Sequence, residues 1–97
     1  MLAMITTYEI KEGKMEEALE ISRELVDHVK DSDPGLLNMF AYTVKGRKNK
    51  NKLVFVENYV DGDALNRLTA NAQDLPNYRK LGQLLETVDV LRCTSIK

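Results

Sequence analysis

Glu57 is the residue whose type and position most invite chemistry. It stands in the middle of the apolar run LVFVENYV, residues 53–60, between Phe55 and Tyr59 in the alternation. Successive side chains of a strand point to opposite faces, so residues two apart share one. A carboxyl group held among aromatic neighbours loses hydration and its pKa rises, which makes it a general base near neutral pH. The plainer alternative is a structural glutamate satisfied by backbone groups or a basic side chain, because ion-pair networks perturb pKa values too. His28 is the only imidazole in the chain and falls at the edge of an apolar helical stripe, three residues after Leu25 and one before Val29. It could shuttle a proton in a cavity between helix and sheet. It could equally be a surface cation near a helix C-terminus. Tyr59, Tyr42, Phe40 and Tyr78 are aromatic candidates for the wall of a pocket that takes a flat substrate, with core packing the competing role for Phe40. Asn38 shares a strand face with Phe40 and Tyr42, where it could orient a ligand or cap a backbone group.

Other chemistries find no support in the residues. Cys93 is the single cysteine, so there is no intramolecular disulfide and no zinc framework. No G-x-G-x-x-G, P-loop or metal-ligand cluster occurs, and neither a cofactor nor a metal is expected. A net charge of −1 provides no field for nucleic acid or an anionic membrane. The segment Lys45–Lys52 holds five of the fourteen basic residues, without an acid or an aromatic, and reads as a solvated hairpin tip. No apolar run approaches a bilayer span, and the N-terminus lacks the pattern of a signal peptide, which points to a cytoplasmic protein with no membrane partner.

The elements that must position these residues follow from periodicity. Residues 2–10 alternate as a strand, and Glu12-Gly13-Lys14 breaks it. From Met15 the period becomes helical, with Ala18, Leu19, Ser22, Leu25, Val26 and Val29 on one stripe. The turn cluster Asp31–Gly35 should end that helix near Ser32. Residues 36–44 and 53–60 read as strands rich in β-branched and aromatic side chains, joined by the basic hairpin. Asp61 is an N-cap for a helix whose face carries Ala64, Leu65, Leu68 and Ala72. Pro76 restarts a helix with the stripe Tyr78, Leu81, Leu84 and Leu85, and residues 88–96 form the last strand.

Strand, helix, strand, strand, broken helix, strand is the split β-α-β order of the ferredoxin-like plait, an α+β fold with helices on one face of a four-stranded antiparallel sheet. The 97 residues fit one domain, 1–97. A chain of this size buries only about 60–65% of its unfolded surface. Its strands carry apolar residues on both faces, and the bare face would exceed the apolar patch a monomer tolerates. A homodimer through the open sheet face is therefore expected.

The run VFVENYVDGDAL, Val54 to Leu65, preceded by DPGLLNMFAYTV and by a first strand ending in a Glu-Gly-Lys turn, resembles the antibiotic-biosynthesis monooxygenase family of dimeric α/β-barrel proteins. Its most recognisable part is Glu57, Tyr59 and Asp61 followed by Ala64-Leu65. The resemblance implies a cofactor-independent monooxygenase acting on a quinol-like or enolisable small molecule. A base, Glu57 or His28, would remove a substrate proton, Tyr59 would hold the oxyanion, and the electron-rich anion would react with dioxygen. Family relatives isomerise small phosphorylated signals, and a non-catalytic ligand-binding dimer is a third possibility. Where the family usually carries a histidine three residues after that leucine, this chain has Leu68, which the resemblance places at the cavity. Asn77 stands where a second histidine often follows a proline.

Overall fold

The alternation of β1, Leu2–Ile10, resolves into two faces: Met4, Thr6, Tyr8 and Ile10 point toward the helices, and Ala3, Ile5, Thr7 and Glu9 point away. The computed structural model describes all 97 residues, Met1–Lys97. After β1 come α1 (Met15–Val29), β2 (Leu36–Thr43), β3 (Lys52–Tyr59), α2 (Gly62–Ala72), α3 (Pro76–Gln83) and β4 (Leu85–Thr94), with a 3-10 turn at Arg47–Asn49 inside the hairpin. The strands lie in the order β2-β3-β1-β4 and every neighbouring pair is antiparallel. This is the expected α+β ferredoxin-like arrangement, with the broken helix present as α2 and α3.

Helix ends carry their own explanation. Glu16 and Glu17 occupy the first turn of α1 and His28 its last, each in the sense that the helix dipole favours. The helix ends at Val29, earlier than the turn cluster suggested, because both the backbone N–H and the Oγ of Ser32 donate to the Val29 carbonyl, at 2.9 and 2.7 Å. Asp61 caps α2, its Oδ1 accepting from the Ala64 N–H at 2.9 Å. Pro76 opens α3, where its missing N–H costs nothing. Leu84 and Leu85, expected on the stripe of α3, lie beyond it. The Leu84 carbonyl accepts from the Lys11 N–H at 2.8 Å, and Leu85 pairs with Ile10, so β4 starts three residues before the expected position.

One core joins the layers. It holds fifteen buried apolar residues, among them Tyr59, Phe55, Ile10, Leu53 and Leu81. Ile21, which the stripe of α1 did not include, is buried beside Ala18, Leu25 and Val29. Ser22, also buried, satisfies its hydroxyl on the Ala18 carbonyl at 2.6 Å. The loop into β2 approaches α2 closely: a Cβ on Gly35 would lie 2.3 Å from that of Ala64, so only glycine fits. Asp33 anchors the same loop, accepting from the Gly35 N–H at 2.7 Å and from Arg67 Nε and Nη2 at 3.0 and 3.1 Å. These bonds hold its carboxyl below the usual value, the Arg67 bond contributing most.

The molecule measures 36 × 30 × 18 Å, and the short dimension is one sheet plus one layer of helices. The other sheet face is bare. Across it, register aligns Phe40, Val56, Ile5 and Leu91, one residue from each strand, in a single apolar row. No helix is long and apolar enough to cross a membrane.

Candidate active site

On the helix side, the row one step along aligns Met39, Glu57, Met4 and Arg92. Glu57 therefore sits on a central strand with a methionine on each side, under Leu25 and Val29 of α1 and Leu68 of α2. Its Oε2 accepts a 2.5 Å hydrogen bond from the hydroxyl of Tyr59, two residues along the same face. Removal from water raises the Glu57 pKa, and the Tyr59 bond opposes that rise without cancelling it. The Tyr59 phenol is itself pushed upward, first by burial and then by its bond to Glu57, so it stays protonated and keeps donating.

Beside this pair lies a cavity of about 60 Å³. Leu68 and Tyr78 reach its wall, as does Tyr8, whose ring meets that of Phe55 edge-on with centroids 5.4 Å apart. No lysine, arginine or histidine lines it. Of the residues singled out in the sequence, Glu57, Tyr59, Leu68 and Tyr78 thus come together.

Four others do not. Asn38, Phe40 and Tyr42 share a face, as their spacing implied, but it is the open face: they oppose Asn58, Val56 and Val54 while Glu57 points to the other side. There Asn38 Oδ1 accepts from Asn58 Nδ2 at 2.7 Å, and Phe40 and Tyr42 are half exposed with centroids 6.3 Å apart. Phe40 and Tyr42 also border a broad groove between α1 and β2, apart from the Glu57 cavity. His28 is exposed, bordering shallow hollows beside Leu75, Pro76 and Asn77. With Leu25 and Val29 turned to the sheet, the helical rotation of about 100° per residue carries His28 away from Glu57. Asn77 Nδ2 donates to Glu24 Oε2 at 3.1 Å on the surface and does not enter the cavity.

Tyr8 and Met4 are the wall residues that sequence reasoning passed over. Their signal was present in the alternation of β1, which puts both on the face of Thr6 and Ile10. The β1–β3 register, which sets Met4 directly opposite Glu57, was the missing fact.

A family model described as antibiotic biosynthesis monooxygenase matches residues 1–74, from β1 through α2 and the turn after it. The chain belongs to the antibiotic biosynthesis monooxygenase family. Solved structures agree with the family's fold along the full chain. One antibiotic biosynthesis monooxygenase superposes with a TM-score of 0.79 at 20% identity, covering 100% of both chains. SnoaB, a cofactor-independent oxygenase from Streptomyces nogalater, superposes with a TM-score of 0.80 at 19% identity, covering 99% of this chain and 93% of its own. A Pseudomonas aeruginosa protein gives a TM-score of 0.78 at 20% identity, over 99% of this chain and 94% of its own. No curated protein matches the sequence. The family's matched segment contains Glu57, Tyr59 and Leu68, whereas Tyr78 lies beyond it on α3.

Proposed function

We propose that this member of the family is a cofactor-independent monooxygenase of an apolar, enolisable or phenolic small molecule, working as a homodimer of one-domain chains. The observation that carries the reading is the Tyr59-bonded carboxylate of Glu57 beside an otherwise apolar cavity. Similarity to a cofactor-independent oxygenase supports it.

Glu57 acts as the base. With Oε2 held by Tyr59, Oε1 faces the substrate and removes a proton from a methylene activated by a neighbouring ring carbonyl or phenol. The resulting carbanion supplies electrons to dioxygen and forms a C–O bond, giving a hydroperoxide once a proton returns. Loss of the second C–H proton expels water and leaves a ketone, so the methylene and O₂ become C=O and H₂O. A raised carboxyl pKa suits the first step because base strength and neutral pH are then better matched.

An isomerase of a phosphorylated metabolite fits less well. A dianionic phosphate beside Glu57 would meet no basic side chain, and burying it unpaired is costly. Oxygen consumption with a panel of quinols and anthrone-type ketones tests the reading. Turnover that Glu57→Gln lowers by about 10²–10⁴-fold is the expected result. Ligand binding without oxygen uptake on any of them would leave a binding dimer in its place.

The homodimer follows from the open face. The row Phe40, Val56, Ile5 and Leu91 lies unopposed in one chain, and a second sheet packed about 10 Å away would cover it.

A further inference from the structure

The cavity beside Glu57 measures about 60 Å³, well short of the roughly 150 Å³ in which a benzene ring is held. A side chain of its wall must therefore move aside before a ring-bearing molecule reaches the carboxyl. Three open spaces lie beyond that wall. Met4, Tyr8 and Tyr78 divide the cavity from a chamber of about 170 Å³ between α3 and β4, and the Tyr8 ring is packed edge-on against Phe55. Leu25, Val29, Leu68 and Ala72, on two helices, divide it from the shallow hollows beside His28. The third space is the broad groove between α1 and β2, about 560 Å³, bordered by Leu19, Arg23, Val26 and Leu53. Met39 is the one residue that borders both this groove and the Glu57 cavity.

Met39 stands directly opposite Glu57 across the β2–β3 pair and is only 6% exposed, so in this conformation it seals the cavity from the groove. Its setting lets it move. β2 is an edge strand, bonded to β3 alone, and its register slips between Leu36 and Asn38, immediately before Met39. Irregularities of that kind disrupt the ladder locally and re-aim side chains. The thioether is unbranched, with three rotatable bonds, and adapts where a branched side chain would not. Rotation toward the groove moves one side chain and joins the small cavity to a space within the size range of ordinary ligand pockets.

We propose that Met39 is the gate of the Glu57 site: substrate gathers in the α1–β2 groove, enters as the Met39 side chain swings outward, and is shut off from water when that side chain returns. The α1–β2 groove is then the outer station of the site, and Met39 is a positioning residue that controls passage without taking part in proton transfer. This deepens the monooxygenase reading and rests on its site, but it concerns passage and is tested without turnover.

Thiol labelling inside the cavity is the experiment. Cys93→Ser removes the chain's own thiol, and Glu57→Cys places one where the carboxyl stands. The rate at which that thiol reacts with benzyl methanethiosulfonate, followed by mass spectrometry, reports the arrival of a ring-bearing molecule. Adding Met39→Ala should raise the rate at least about tenfold, because the gating step is gone, whereas Tyr78→Ala should change it less than about twofold. A Cys93→Ser, Leu81→Cys protein, with its thiol at the α3–β4 chamber, controls for general loosening, and Met39→Ala should leave its rate unaltered. If Met39→Ala fails to fold, Met39→Leu keeps the volume but stiffens the side chain, and should slow labelling at position 57 about threefold or more. A folded Met39→Ala protein with an unaltered rate at position 57, or with equal gains at both positions, overturns the proposal. So does a Tyr78→Ala effect larger than that of Met39→Ala, or a Met39→Leu rate that is unaltered or faster. If the labelling pattern holds while no substrate consumes oxygen, the gate stands and the oxygenase reading falls.

Discussion

Tyr59 donates to Glu57 across a single turn of strand alternation, its hydroxyl 2.5 Å from Oε2 on the same face of β3. That bond is the one polar contact opposing the desolvation of the carboxylate, so it tunes the base as well as orienting it. Tyr59→Phe removes it and should raise the Glu57 pKa further. The acid limb of the pH–rate profile should then move to higher pH, whereas an acid limb that stays in place would show that another group is the base.

Stability should depend on pH through the same carboxyl. Glutamate ordinarily titrates near 4.5, and Glu57 titrates higher in the fold. Between those two values the folded chain holds more protons than the unfolded one, so the Glu57 contribution to stability falls as pH rises and stays reduced above the folded pKa. Glu57→Gln should match the wild type below about pH 4 and be the more stable protein at pH 7. Urea denaturation at both values checks it, and a variant less stable at pH 7 would contradict the argument.

Gly35→Ala should cost about 1–3 kcal/mol, because the new methyl would sit 2.3 Å from the Cβ of Ala64 and either β2's entry loop or α2 must shift. Pairing it with Ala64→Gly relieves the clash. A double-mutant cycle should therefore show favourable coupling, and simple additivity would mean that the contact is not the cause.

Val56→Lys tests the open face. Val56 lies between Phe40 and Ile5 on the side away from the helices, as its alternation with Phe55 and Glu57 implied. A lysine there would be buried unpaired between two sheets, costing about 3 kcal/mol or more of assembly, over a hundredfold in dimer dissociation. Sedimentation should find the wild type at twice the 11.0 kDa chain mass and the variant as a folded monomer. An unaltered dimer would place the interface elsewhere.

Replacing Arg47, Lys48 and Lys50 together by serine should change stability by no more than about 0.5 kcal/mol and leave ligand binding unaltered. The loop's one ion pair, Lys50 Nζ to Glu12 Oε1 at 3.0 Å, is well exposed on both sides and contributes little. Loss of ligand affinity would instead favour a phosphorylated substrate.

The element order, the α+β plait, the cap at Asp61 and the side of β3 that carries Glu57 were all legible from the chain. Each depends on periodicity or on bonds between residues close in sequence. A period of two assigns Phe55, Glu57 and Tyr59 to one face without reference to any other strand. What no local pattern determines is how the parity of one strand matches that of another. The β2–β3 register shifts between Leu36 and Asn38, and that pairing across the hairpin decided that Asn38, Phe40 and Tyr42 look away from Glu57. Pairing of β1 with β3 likewise brought Met4 and Tyr8 to the carboxylate, and docking of α2 and α3 brought Leu68 and Tyr78. His28 shows the same limit on a helix. The helical period puts it at the stripe's edge, but whether that edge faced the cavity depended on the angle at which α1 lay on the sheet, which packing across the whole core sets.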